Sequence, residues 1–140
     1  MNTLNVCNNI MENKNKSTAN SDKKVLVIEG DFINSFMLKQ FLDNDFKMLY
    51  ARDSHEVVKI MNEHFVDVVL LNSEYDSFGL SAKDLVKYIK NKDVNNQIKI
   101  VALPNQQNGD IEQSLDYDSS LTHPYNKDEV IENIGKLLKG

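Results

Sequence analysis

The sequence predicts a single α/β domain in which helices cover both faces of a central five-stranded parallel sheet. A chain of 140 residues has the length of one domain. Residues 25–28 and 68–71 are short runs that are apolar at every position, which is typical of strands buried on both faces. Strand and helix patterns alternate five times along the chain, and this order requires right-handed crossovers and a parallel sheet.

The first half of the domain contains two strand–helix pairs. Residues 25–28 predict the first strand, and residues 46–51 predict a weaker second strand. Ser54 is a residue type that caps helices, so we expect it to be the N-cap of the second helix. Helical spacing gives the expected buried faces: Ile33, Phe36, Met37, Gln40 and Phe41 in the first helix, and Val57, Val58, Met61 and Phe65 in the second.

The second half of the domain contains the remaining three pairs. Residues 67–71 and 98–103 are strongly apolar strands, and residues 119–122 predict a short fifth strand. Residues 109–117 predict only a short, weak helix. The other two helices are placed by their apolar stripes, which are Ala82, Leu85, Val86 and Ile89 in one and Val130, Ile131, Ile134, Leu137 and Leu138 in the other.

Composition excludes several classes of function. The net charge of −5 argues against binding to nucleic acid or to an anionic membrane. No apolar stretch approaches the roughly 20 residues that a membrane-spanning helix needs. The single cysteine, Cys7, rules out an internal disulfide, and His55, His64 and His123 do not have metal-ligand spacing. We therefore expect a cytoplasmic protein with a disordered polar tail at residues 1–23 and a folded domain at residues 24–140.

The residues that follow the predicted strands are the candidate functional site. In an open α/β sheet, ligands bind in the crevice at the carboxyl ends of the strands. Polar or turn-forming residues stand at four of these ends: Glu29-Gly30-Asp31, Asn72, Pro104 and His123. The sequence therefore predicts that these four groups meet at one edge of the sheet.

This arrangement resembles the receiver domain of two-component response regulators over residues 24–139. Receivers begin with an apolar strand that ends in an acidic pair, as residues 25–31 nearly do here. Their third strand resembles residues 67–71 and ends in the phosphoacceptor aspartate. Their fifth strand ends in a lysine–proline pair followed by an aromatic residue, where this chain has His123, Pro124 and Tyr125. The resemblance implies a flavodoxin-like (βα)5 three-layer sandwich and a role in bacterial signal transduction.

The residues that the resemblance assigns to phosphorylation chemistry are replaced in this chain. Asn72 stands at the phosphoacceptor position, and a neutral amide offers no carboxylate nucleophile. Gly30 replaces one of the two acids that hold Mg²⁺ and leaves Glu29 alone, while Asp31 lies one residue further on. The backbone carbonyl of Glu74 matches the third metal contact of the family, but its distant carboxylate is a poor substitute for the missing acid. We expect no Mg²⁺ binding, no other cofactor and a cleft that is stable without a cation.

Three further positions also differ from the residues that are usual in receivers. Pro104 replaces the threonine or serine whose hydroxyl moves toward the phosphate in the family. His123 replaces the lysine that pairs with the phosphate, and it is shorter and mostly neutral at pH 7. Ser120 stands where receivers carry an aromatic side chain that changes rotamer. The combined losses predict that aspartyl phosphorylation does not occur.

The sequence therefore predicts a stand-alone pseudo-receiver that acts by binding another signalling protein and is not an enzyme. The candidate partner face consists of Tyr75, Phe78, Ser120 and Tyr125. A different hypothesis for Tyr75 and Phe78 is that both fold back over the cleft. Two rival hypotheses stay open for the whole chain: a phosphorelay receiver that uses an unusual acceptor, and a small-molecule sensor that uses the emptied cleft. Among partners, a second copy of the chain in a weak homodimer also stays open.

Overall fold

The computed structural model describes residues 22–77, 80–103, 117–121 and 124–139. Within these ranges the chain forms seven strands and four helices. The strands are β1 (Lys24–Ile28), β2 (Lys47–Ala51), β3 (Val68–Asn72), β4 (Asp76–Ser77), β5 (Leu80–Ser81), β6 (Lys99–Leu103) and β7 (Ser119–Ser120). The helices are α1 (Phe32–Leu42), α2 (Ser54–Glu63), α3 (Ala82–Lys92) and α4 (Lys127–Lys139).

Five strands form one sheet in the order β2-β1-β3-β6-β7, and all its neighbours pair in parallel. The predicted fold class is therefore confirmed: a five-stranded parallel sheet with helices, in a flavodoxin-like α/β arrangement. A small antiparallel hairpin of β4 and β5 follows β3 and was not predicted. It brings the chain from the end of β3 to the start of α3.

The two central strands carry the core because their side chains point alternately to both faces of the sheet. Leu26, Ile28, Val69 and Leu71 belong to the apolar cluster on one face, which α2 and α3 cover. The other side chains of these strands belong to a second cluster, which α1 and α4 cover: Val25, Val27, Val68 and Leu70. All eight are essentially inaccessible to solvent.

The buried face of α1 differs from the predicted one. The structure buries Asn34, Leu38 and Leu42, which recur every four residues, while Ile33, Phe36 and Gln40 are exposed. Asp31 starts the helix, because its side chain accepts a hydrogen bond from the Ile33 backbone N–H at 2.9 Å. Of the predicted face, Met37 and Phe41 do pack partly against the core.

The start and the buried face of α2 also correct the prediction. Asp53 is the N-cap, and its Oδ1 accepts a hydrogen bond from the Glu56 backbone N–H at 3.0 Å. Ser54 is instead the first helical residue and is buried. Phe65 was expected on the buried face, but α2 ends at Glu63 and the Phe65 side chain is 94 % exposed.

Several predictions concern residues outside the described ranges. These predictions are the disorder of the tail and the weak helix at residues 109–117, of which only Tyr117 is described. They also include the positions of Phe78, Pro104 and His123, and all of them stay predictions. The fifth strand is observed at Ser119–Ser120 and does not extend to Leu121, while Thr122 lies outside the described residues. Among the helices of the described part, none is long and apolar enough to cross a membrane.

Candidate functional site

A cleft of about 400 Å³ lies at the carboxyl edge of the sheet, where β1, β2 and β3 end. Six of the predicted site residues line it, five from the predicted cleft and Tyr75 from the predicted partner face. The cleft is lined by Glu29, Gly30, Asp31, Arg52, Asn72, Glu74, Tyr75 and Asp76. Parallel pairing of β1 with β3 explains the juxtaposition, because it aligns Ile28 with Leu71 and so brings the next residue of each strand to the same edge.

The Glu29 carboxylate is the buried charge of this cleft, with only 3 % of the residue exposed. A buried carboxylate must be compensated by hydrogen-bond donors. Nδ2 of Asn72 supplies them, at 2.9 Å from Oε1 and 3.1 Å from Oε2 of Glu29. The backbone N–H of Asp31 donates to Oε1 at 3.0 Å. Neutral donors therefore hold this carboxylate.

Both ends of the Asn72 amide are engaged. Its Oδ1 accepts a hydrogen bond from the Glu74 backbone N–H at 2.8 Å. A backbone N–H can only donate, so this bond assigns Oδ1 to the loop and Nδ2 to Glu29. The backbone is held as well, because Asn72 pairs with Leu103 and the next N–H, that of Ser73, donates to the Leu103 carbonyl at 3.0 Å. Asn72 therefore links β1, β3 and the loop after β3.

Asp31 and Gly30 do not rebuild the missing acid. Oδ1 of Asp31 caps α1, so this carboxylate serves the helix start. Gly30 has open space around it, since an added Cβ would meet nothing within 4 Å. The loss of an acid at position 30 is therefore not forced by crowding.

The described residues do not fit the magnesium ion that the resemblance implies. Mg²⁺ requires oxygen ligands around it, and one or two carboxylates usually supply the protein's share. Here the Glu29 oxygens already accept hydrogen bonds from Asn72 and Asp31. Across the described ranges, no group of three or more His, Cys, Asp or Glu side chains could hold a metal ion. Whether the cleft is stable without a cation stays a prediction.

Arg52 is a member of the cleft that sequence reasoning missed. It is the only arginine of the chain and follows β2 directly. Its backbone N–H donates to Oε1 of Glu56 at 2.7 Å, and its Nη2 lies 3.4 Å from Oε2 of the same carboxylate. Its position after a parallel strand is the signal that could have identified it.

Two aromatic residues of the predicted partner face are buried, which corrects that part of the prediction. Tyr75 is 7 % exposed and packs into the cluster between the sheet and α2 and α3, so the fold-back hypothesis applies to it. Tyr125 is 8 % exposed and packs in the opposite cluster. Burial, and then the negative charges of Glu29 and Asp31, raise the pKa of Tyr125 well above its usual range. Of that face, Ser120 is exposed, and Phe78 lies outside the described residues.

A different apolar surface is exposed beside the cleft. Phe32, Ile33 and Phe36 on the first turns of α1 are 78 %, 67 % and 51 % exposed. The rings of Phe32 and Phe36 stack with their centroids 6.2 Å apart. We call these three residues the α1 apolar patch. Because Asp31 lines the cleft and caps α1, the patch begins where the cleft ends.

Comparison with known proteins identifies solved structures with the same architecture. No protein-family model matches the sequence, and no curated protein matches it either. Solved structures do match it closely in three dimensions. The receiver domain of a sensor histidine kinase from Pseudomonas aeruginosa, with magnesium coordinated in its cleft, aligns with a TM-score of 0.73 and 15 % identity, covering 86 % of this chain and 100 % of that one. The chain has the CheY-like receiver fold.

Other receivers match over similar shares of the chain. A two-component response regulator from Clostridium difficile aligns with a TM-score of 0.71 and 23 % identity, over 84 % of this chain and 97 % of that one. The receiver domain of a Saccharomyces cerevisiae response regulator, solved together with a histidine phosphotransfer protein, aligns with a TM-score of 0.66 and 21 % identity, over 84 % and 89 %. The receiver fold is therefore common to this chain and to proteins of two-component systems.

Proposed function

We propose that this chain is a receiver-like domain of two-component-type signalling that acts by binding another protein, independently of phosphorylation. The observation that carries the proposal is the hydrogen bonding of Asn72. The amide lies in the middle of the receiver cleft, and its Nδ2 donates to Glu29 while its Oδ1 accepts from the loop.

The chemistry of phosphoryl transfer supports this proposal. Forming an acyl phosphate requires a carboxylate oxygen to attack phosphorus while the phosphodonor's leaving group departs. The nitrogen of a carboxamide is a poor nucleophile because its lone pair is delocalised into the carbonyl group. Here that nitrogen also directs its N–H groups at the Glu29 carboxylate. The residue at the family's acceptor position therefore lacks the reacting group.

The electrostatics of the cleft point the same way. An aspartate at position 72 would put a second carboxylate oxygen about 3 Å from Glu29, and such a pair needs a proton or a cation between its members. The amide removes one negative charge and adds a donor. The chain itself therefore compensates the charge of Glu29, which a cation would otherwise do. This favours a cleft that keeps one arrangement without a bound cation.

The α1 apolar patch supplies the surface for a partner. Burying a large apolar side chain contributes roughly 1.5–3 kcal/mol. Three of them are exposed on neighbouring turns of one helix, beside the acidic rim that Asp31, Glu74 and Asp76 provide. The structural neighbour that was solved with a phosphotransfer protein supports protein binding as the mode of action of this fold.

Nuclear magnetic resonance of the full chain tests the proposal. Backbone amide spectra are recorded while Mg²⁺ is added, first alone and then with beryllofluoride, which mimics an aspartyl phosphate. We expect no saturable shifts at residues 29–31 or 72–76. Asn72→Asp is the matched variant in which shifts with Mg²⁺ are expected. Saturable shifts around Asn72 in the unmodified chain would overturn the proposal.

A further inference from the structure

A second concave surface lies at the amino-terminal edge of the sheet, at the opposite end from the cleft. It is a groove of about 390 Å³ between the ends of α2 and α3. Buried Met61 and Val66 contribute to its lining, together with partly buried Ile98. Nothing in the candidate site uses this groove.

Each wall of the groove carries one projecting apolar side chain. Phe65, just after α2, is 94 % exposed, and Val94, just after α3, is 86 % exposed. They are the two most exposed large apolar side chains of the described residues. A surface that carries both an apolar groove and apolar projections can be complementary to a second copy of itself.

Most charged groups of the groove are already used within the fold. Oδ2 of Asp67 accepts a hydrogen bond from the Lys24 backbone N–H at 2.9 Å. The carboxylate oxygens of Asp93 accept from the backbone N–H groups of Gln97 and Ile98, at 2.8 and 2.9 Å. His64 is also engaged, because its Nδ1 lies 3.2 Å from Nζ of Lys24.

Two charges remain at the surface, one on each wall. Glu63 is exposed on the α2 wall and has no ion pair or hydrogen-bonded side-chain partner among the described residues. Lys92 is exposed on the α3 wall, and its Nζ donates to Oδ1 of Asn62 at 2.7 Å, which leaves further N–H donors. The α2 wall therefore presents a carboxylate without a side-chain partner, and the α3 wall presents an ammonium group with donors to spare.

We propose that this face is a two-fold interface between two copies of the chain. In a two-fold contact the same surface meets itself, so the α2 wall of one copy faces the α3 wall of the other. Phe65 of each copy then enters the groove of the other, and Glu63 of each copy faces Lys92 of the other. The apolar projections, the groove and the opposite charges are the complementary parts that such a contact requires.

The interface is independent of the proposed function. It lies at the amino-terminal edge of the sheet, whereas the cleft and the α1 apolar patch lie at the carboxyl edge. A dimer of this kind therefore leaves both sites accessible. Failure of either proposal does not affect the other.

Sedimentation velocity of the full chain over a concentration series tests the interface. We expect the unmodified chain to shift from monomer to dimer as concentration rises to on the order of 1 mM, the range of weak association. Phe65→Asp is expected to weaken association at least about tenfold, which equals about 1.4 kcal/mol. Val58→Asp is the control, because it makes the same change at an exposed apolar residue of α2 that lies outside the groove and should leave association unchanged.

Charge reversal tests the pairing of the walls. Glu63→Lys and Lys92→Glu alone should each weaken the dimer, because each puts like charges opposite one another. The double variant should restore association, since both pairs are then reversed. A chain that stays monomeric throughout the series overturns the proposal, as does a dimer that Phe65→Asp leaves intact. A monomer would leave the groove to the N-terminal segment or to another protein.

Discussion

Asn72 and Glu29, 43 positions apart in the sequence, are joined by a two-pronged hydrogen bond in which one Nδ2 serves both carboxylate oxygens, at 2.9 and 3.1 Å. The contact crosses from β3 to β1 at the carboxyl edge of the sheet. It holds a buried carboxylate with a neutral amide.

Asn72→Asp should make the stability of the domain depend on a divalent cation. Without one, the two carboxylates repel each other, and we expect a loss of about 2 kcal/mol. Mg²⁺ should restore much of it. Thermal denaturation with chelator and with Mg²⁺ measures the difference. Asn44→Asp, the same change at an exposed position, is the control. If both variants respond alike to Mg²⁺, the assigned role of Asn72 is wrong.

Glu29→Ala should destabilise the domain by about 1–3 kcal/mol, because it leaves the Asn72 Nδ2 and the Asp31 backbone N–H without an acceptor. Urea denaturation gives the free energy of unfolding. Glu74→Ala removes an exposed carboxylate at the same cleft and should change that free energy by less than about 0.5 kcal/mol. Equal costs for the two variants would contradict the buried role of Glu29.

The double variant Ile33→Asp and Phe36→Asp should abolish partner binding without unfolding the domain. Both side chains are mostly exposed, so little core packing is lost. Quantitative capture from the native host compares this variant with the unmodified chain. Phe65→Asp, at the opposite edge of the sheet, serves as the control. A partner retained by the double variant would show that the α1 apolar patch is not the binding surface.

Asp53→Ala should cost about 1 kcal/mol, because it removes the N-cap of α2. Ser54→Ala should cost less, since its hydroxyl is not the capping group, and chemical denaturation of both variants measures the difference. A larger loss for Ser54→Ala would contradict this assignment and indicate that Ser54 is the N-cap, as the sequence suggested.

Tyr50 should contribute to a loss of stability at high pH. Burial first, and then the negative charge of Asp43, raise the pKa of Tyr50 from 10.0 to about 12. The unfolded chain therefore releases this proton at lower pH than the folded chain does. Stability from Tyr50 is complete below pH 10 and is lost as the pH rises to about 12. Denaturation of Tyr50→Phe over this range should show a weaker pH dependence, and an unchanged slope would contradict the assignment.

The fold could be predicted largely because its central strands carry a strong signal. Residues 25–28 and 68–71 are apolar at every position, and only a strand covered on both faces explains that pattern. The position of the cleft followed from the rule that ligands bind at the carboxyl ends of parallel strands. Glu29, Asp31 and Asn72 were identified in this way.

The features that could not be predicted from the sequence depend on contacts between residues distant in the sequence, or on which face of a helix is buried. The faces of α1 were misassigned because two apolar sets fit helical spacing, and the packing of Leu38 and Leu42 against the core decides between them. The bond from Asn72 to Glu29 depends on the register of β1 against β3, which no local pattern encodes. The burial of Tyr75 and Tyr125 likewise depends on tertiary packing.

Under the proposed function, Asn72 at the acceptor position does not react with a phosphodonor. The most direct test is intact-mass spectrometry of the full chain after incubation with Mg²⁺ and acetyl phosphate, beside the double variant Gly30→Asp and Asn72→Asp. We expect an unchanged mass for the unmodified chain. The double variant regains the acid pair and the acceptor, so we expect it to gain a phosphoryl adduct. An acid-stable, base-labile phosphoryl adduct on the unmodified chain that maps to the cleft would contradict the proposed function.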